Sequence, residues 1–136
     1  MSAKPIILVA EDSAPNRKIL THLLEKLGFE VAQCENGRQA LDILTIRPEV
    51  ASKVIMIISD IMMPQMDGIE FLRQVRGNET LKKTPFVLVT AVSEKQYVTQ
   101  AIELSVNGYI LKPITFQRVR DKIKEIFPNS DFSKVA

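Results

Sequence analysis

Five side chains able to do chemistry together stand at the ends of short apolar runs. Glu11 and Asp12 follow Ile6 to Ala10, and Asp60 follows Val54 to Ser59. Thr90 follows Phe86 to Val89, and Lys112 follows Gly108 to Leu111. Three carboxylates held together repel one another and stay ionised only with a cation among them. With neither His nor Cys beside them, the donors are all oxygen, which favours a hard ion, Mg²⁺ or Mn²⁺, over zinc. Mg²⁺ keeps several waters, so two carboxylates and a main-chain carbonyl suffice from the protein. A carboxylate beside such an ion can attack phosphorus and form an acyl phosphate. A lysine and a hydroxyl can then pair with the oxygens of the transferred group.

Two periodicities alternate along the chain and decide where these residues go. Ile6 to Ala10 is a continuous apolar run, suited to a strand buried on both faces. From Ala14 to Leu27 the apolar residues recur at helical spacing, with Ser13 as N-cap and Gly28 as the stop. Phe29 to Glu35 reads as a second strand, and Ala40, Leu41 and Leu44 mark a second helix ending near Arg47-Pro48. Arg47 to Lys53 reads as an extended loop before the isoleucine-rich strand Val54 to Ser59. Asp67-Gly68 opens a third helix, to Arg76, and Phe86 to Val89 is a fourth strand. Ser93 to Gln96 has the form of a capping box for a fourth helix through Val98, Ala101 and Ile102. Gly108 to Leu111 is a fifth strand, and a fifth helix runs through Phe116, Val119, Ile123 and Phe127 to Pro128. This (βα)₅ alternation predicts an α/β, doubly wound five-stranded parallel sheet with helices on both faces. In such a sheet, ligands bind outside the carboxyl ends of the strands, where all five candidates lie.

Composition narrows the classes. The 136 residues suit one domain, and 46% hydrophobic with 25% charged residues excludes disorder and low complexity. No apolar run approaches the ~20 residues that span a bilayer, and the short run ending at Glu11-Asp12 is no signal peptide. A lone cysteine, Cys34, excludes an internal disulfide and fits a cytoplasmic protein. A formal charge of +2 gives no argument for direct nucleic-acid binding. Taken singly, each candidate has a plainer reading: Glu11-Asp12 as the acidic start of a helix, Thr90 as a β-branched strand residue, Lys112 as a surface lysine. His22 reads as a surface residue, Cys34 as a buried small hydrophobe, and the basic last helix as a solvated face. The case rests on their convergence.

The motifs Ile-Leu-Val-Ala-Glu-Asp (7 to 12), Ile-Ser-Asp-Ile-Met-Met-Pro-Gln-Met-Asp-Gly (58 to 68), Val-Thr-Ala (89 to 91) and Tyr-Ile-Leu-Lys-Pro (109 to 113) occur in this order, each at a strand end. Over about Pro5 to Phe127 the sequence resembles a response-regulator receiver domain of the CheY-like family. The resemblance implies strand order 2-1-3-4-5, a receiver domain over residues 1–128 and a short tail over 129–136, too short for an output domain. It implies that Asp60 accepts a phosphoryl group from a histidine kinase or phosphotransfer protein. Asp12, Asp60 and the Met62 carbonyl would bind Mg²⁺ (or Mn²⁺), with Glu11 acting through water. Lys112, Thr90 and the Ala91 N–H would pair with the phosphoryl oxygens, and the Lys112–Pro113 bond would be cis. Thr90 and Tyr109 would form the switch, remodelling the face of helix four, strand five and helix five for a downstream protein or, on phosphorylation, a second copy.

Two departures from the family pattern bear on function. Glu11 stands where Asp is commoner, and its extra methylene alters the metal geometry slightly. Met62 and Val92 are apolar at positions that help admit hydrolytic water, which predicts slow self-dephosphorylation. The chain is thus expected to be a phosphorylation switch of a two-component or chemotaxis-type pathway, catalysing only its own modification and its reversal. A Mg²⁺-dependent aspartyl phosphatase is the enzymatic rival, but it needs a second Asp where Met62 stands. The other rival is a receiver-like module that binds partners without phosphorylation.

Overall fold

Strand β1 (Ile6–Ala10) is buried along its whole length, which explains its unbroken apolar sequence. In the computed structural model, which describes residues 4–129 apart from the side chains of Val92 and Ser93, it is an inner strand of a parallel sheet. The other strands are β2 (Glu30–Cys34), β3 (Val54–Asp60), β4 (Phe86–Thr90) and β5 (Gly108–Leu111), in the order 2-1-3-4-5. The helices are α1 (Ala14–Lys26), α2 (Gly37–Ile46), α3 (Gly68–Arg76), α4 (Val98–Glu103) and α5 (Phe116–Ile126).

Alternate residues of the strands feed two cores. Ile7, Val9, Ile58 and Val89 meet Leu20 and Leu24 of α1 and Val119 and Ile123 of α5 on one face. Leu8, Ala10, Ile57 and Leu88 meet Ala40, Phe71, Leu72 and Ala101 of α2, α3 and α4 on the other. The doubly wound expectation therefore holds in strand order and in layering. Side-chain caps start the helices where the sequence places them: Ser13, Asn36, Asp67 and Thr115 each accept a backbone N–H of the first turn.

Two local expectations are corrected. Arg47 to Lys53 is not an extended loop: Pro48–Ala51 forms one helical turn, because Pro48 at its first position has the right φ and lacks only an N–H that would be unpaired anyway. The fourth helix does not start on a Ser93 cap. Ala91 is the N-cap residue of a 3₁₀ helix, Val92–Tyr97, that leads into α4. The Glu94 carboxylate reaches back to the Ala91 N–H at 2.9 Å, drawing the chain into its first turn before Ser93.

Beside the site, backbone approach is close. The Gly68 N–H donates to the Ile61 carbonyl at 2.7 Å, and a Cβ on Gly68 would run into the Asp60 carbonyl. At the opposite end, the Arg76 guanidinium donates to the carbonyls of Lys82, Thr84, Leu104 and Ser105 and to Asn107 Oδ1. It ties the end of α3 to the segments leading into β4 and β5. We expect Gly68→Ala to lower unfolding free energy by about 2 kcal/mol, the usual scale of overpacking. Urea denaturation measures this, and an unchanged midpoint would show that the β3–α3 loop yields without cost.

Candidate functional site

The carboxyl edge of the sheet brings the predicted residues together. In register, Asp60 pairs with Val89 and Thr90 with Leu111, so Lys112 emerges one residue beyond β5. Glu11 and Asp60 are 2% and 4% exposed, while Asp12 is exposed. One carboxylate oxygen from each of the three lies within 4.8 Å of the others. Asp60 Oδ1 accepts the Ile61 N–H at 2.8 Å, and Asp60 Oδ2 accepts from Lys112 Nζ at 3.2 Å. The Lys112–Pro113 peptide bond is cis. These groups line a cleft of about 490 Å³ together with Met62, whose residue is 54% exposed at the rim.

Other candidates stand apart from the cleft. Thr90 is buried and donates its hydroxyl to the Ala91 carbonyl at 3.1 Å. Thr90 and Ala91 line a neighbouring hollow with Tyr109, Leu111, Lys95 and Val98. Tyr109 is 42% exposed, turned out of the core. The Val92 side chain lies outside the described ones. His22 is exposed, and burial pushes the Cys34 thiol up to about 12, leaving it inert near neutral pH.

Two contributors were missed from sequence. Arg17 on α1 donates to the Glu11 carbonyl at 2.7 Å and steadies the turn that carries both N-terminal acids. Its spacing of six residues from Glu11 is no recognisable motif. Glu94 enters the same cleft; in sequence it read only as a capping residue.

Electrostatics indicate what the cleft can hold. Burial pushes the Glu11 carboxyl up to about 8, helped by its hydrogen bond to Asp60 and that neighbour's charge. Burial works against the Lys112 charge, but Asp60, Glu11 and Glu94 outweigh it and hold the amine above its usual range. One lysine does not balance two buried carboxylates plus Asp12. An all-oxygen donor set with surplus negative charge fits a hard divalent cation, and Glu11, Asp12 and Asp60 are the side chains to hold it.

Comparison with known proteins agrees with this geometry. Residues 7–124 match the family model of the response regulator receiver domain. The chain is 37% identical to the chemotaxis protein CheY of Pseudomonas aeruginosa over 122 residues, covering 89% of this chain and 94% of that one. It is 32% identical to the chemotaxis protein CheY1 of Helicobacter pylori over 126 residues, covering 92% and 98%. Among solved structures it resembles the signal receiver domain of a signal transduction histidine kinase from Syntrophus aciditrophicus, with a TM-score of 0.80 and 30% identity over 91% of this chain and 90% of that one. The receiver domain of a Pseudomonas aeruginosa sensor histidine kinase shares the fold, with a TM-score of 0.79 and 23% identity over 90% and 97%. That structure has a magnesium ion coordinated in its active site cleft.

The raised Glu11 carboxyl makes stability depend on pH. Its folded value lies above its unfolded value of 4.5, so the folded chain holds the extra proton between about 4.5 and about 8. Its stabilising effect is complete below 4.5 and is lost as pH rises through about 8. Metal-free protein should therefore melt at progressively lower temperature from pH 5 to pH 8.5, and Glu11→Gln should flatten the slope. Mg²⁺ should raise the melting temperature more at pH 8.5 than at pH 6, because it competes with that proton. Calorimetry across this range checks both signs.

Proposed function

The chain belongs to the response regulator receiver family, and we propose that it is a phosphorylation switch whose acceptor is Asp60. The observation that carries this reading is the Lys112 Nζ to Asp60 Oδ2 contact at 3.2 Å, at the point where three carboxylates converge. The domain is taken as residues 1–128, with 129–136 as a tail whose residues from 130 lie outside the described ones.

In the proposed reaction, an Asp60 carboxylate oxygen attacks the phosphorus of a phosphohistidine on a histidine kinase or phosphotransfer protein. The new P–O bond forms as the P–N bond breaks, and the electron pair stays on the donor imidazole. Asp12, Asp60 and the Met62 carbonyl would hold Mg²⁺ or Mn²⁺, with Glu11 behind them; bound there, the ion neutralises charge on the phosphoryl oxygens. Lys112, now paired with Asp60 Oδ2, would pair with the transferred group once the acyl phosphate has formed. Hydrolysis returns the carboxylate when water attacks phosphorus and inorganic phosphate leaves. The apolar Met62 and Val92 supply no polar group to orient that water, so the modified form is long-lived. The missing second aspartate at Met62 also argues against a turnover phosphatase.

The switch would run through Thr90. Its hydroxyl leaves the Ala91 carbonyl for the phosphoryl group, and Tyr109 turns from its exposed position into the hollow beside Thr90. The exposed surface of α4, β5 and α5 changes with it, altering affinity for a downstream protein or for a second copy. Among the described residues, no helix is long and apolar enough to cross a membrane; we place the switch in the cytoplasm, within a two-component or chemotaxis-type relay.

Incubation with acetyl phosphate and Mg²⁺ should add one phosphoryl group by intact mass, with no adduct when the metal is chelated beforehand and none in Asp60→Asn. No adduct on the wild type at saturating donor would overturn the reading in favour of a phosphorylation-independent module. Phosphate release over many turnovers without an adduct would favour the phosphatase. In the same assay, combining Met62→Asn with Val92→Glu should shorten the adduct's half-life by at least about tenfold, equivalent to ~1.4 kcal/mol in the barrier. An unchanged half-life would remove the apolar pair as its cause.

A further inference from the structure

The Ala91 amide, which the preceding reading gives to the phosphoryl group, already has an anionic partner. It donates to Oε1 of Glu94 at 2.9 Å. The other oxygen, Oε2, is buried and has no hydrogen-bond partner among the described residues. Glu94 lines the acidic cleft with Asp60 and Lys112, and its charge acts on Lys112. Its backbone departs from helical geometry, at φ −103° and ψ 17°, within the turn that brings the side chain back to the end of β4.

A carboxylate on a backbone N–H makes a charge-assisted bond, stronger than a neutral one. A buried, unpaired carboxylate oxygen is unfavourable. Glu94 therefore combines one firm contact with one starved atom, beside a cleft already rich in negative charge. It is held in place, and a more highly charged anion that also pairs with Lys112 can displace it. The Thr90 hydroxyl fits this state, since it donates to the Ala91 carbonyl and not into the cleft.

We propose that Glu94 is an internal stand-in for the phosphoryl group, occupying the Ala91 amide in the unmodified protein and leaving it when Asp60 is modified. Glu94 is thus a positioning residue that sets the threshold for modification. This rests on the receiver reading and adds a competing anion to it. Glu94 is not fully buried, so the displaced carboxylate can turn into water. A residue that only caps the following turn has the opposite signature: removing it loosens the end of β4 and weakens binding there.

The test is a titration of beryllofluoride, an acyl-phosphate mimic, with Mg²⁺ into the wild type, Glu94→Gln, Glu94→Ala and Asp60→Asn. Affinity and the Ala91 amide resonance are followed by NMR. Beryllofluoride should bind Glu94→Ala about tenfold more tightly than wild type, the scale of one charge-assisted bond no longer competing. Glu94→Gln should fall between them, and the wild-type Ala91 resonance should move on binding. If Glu94→Ala fails to fold, Glu94→Gln, with an acceptor on the same stem, decides alone. Binding to the Glu94 variants equal to or weaker than binding to wild type would overturn the stand-in while leaving the receiver reading intact. Absence of binding to wild type and every Glu94 variant would overturn the receiver reading and the stand-in with it.

Discussion

The structure turns on the repulsion between two carboxylates that the sheet forces together. Glu11 leaves the end of β1 and Asp60 ends β3, and these strands are neighbours in the sheet, so neither side chain can withdraw without breaking register. Both are nearly inaccessible to water. Lys112 answers part of that charge, and a proton on Glu11 answers more. The protein is therefore built around a concentration of negative charge that a cation would offset and that, on the proposed function, an incoming phosphoryl group would rearrange. Arg17 on the Glu11 carbonyl and Gly68 against the Asp60 carbonyl fix the two acids at this separation instead of relieving it.

Such a deficit is tolerable because it is confined to one edge. Below it, the two apolar clusters on opposite faces of the sheet contain almost all the fully buried side chains, and β1, β3 and β4 contribute to both. The far edge is fastened separately by Arg76, which gathers four carbonyls and Asn107 from the two segments leading into β4 and β5. Stability is thus supplied away from the cleft, and the loops at the carboxyl edge are free to be shaped for chemistry.

The fold was legible because its signals are local and repeated. The unbroken apolar runs at Ile6 to Ala10 and Val54 to Ile58 suit strands covered on both faces, and the caps at Ser13 and Asp67 fix where the helices begin. The acids and Lys112 were legible for the same reason: each stands at or just beyond the end of a strand. What sequence missed depends on side chains that fold back across a turn. The cap expected at Ser93 went to the Ala91–Glu94 pair because a glutamate reaching a strand-end amide leaves no periodic trace. Arg17 reads as one more charged residue of α1 until the chain turns at Ser13. Pro48 signals the end of one helix and the start of another equally well, and only the three-dimensional path between α2 and β3 distinguishes them.

The same edge connects charge to surface. Thr90 lines the hollow with Tyr109 and Leu111, and its hydroxyl is committed to the Ala91 carbonyl. The Ala91 N–H is committed to Glu94, so two adjacent donors face away from Asp60 through bonds to different acceptors. On the proposed function, a phosphoryl group that recruits one of them would disturb the short 3₁₀ segment that follows, and that segment leads directly into α4. On this geometry, the coupling between site and surface does not require a long relay through the core. It follows from the fact that β4 runs directly into the 3₁₀ turn whose Glu94 lines the cleft and which leads into the helix bordering the exposed face.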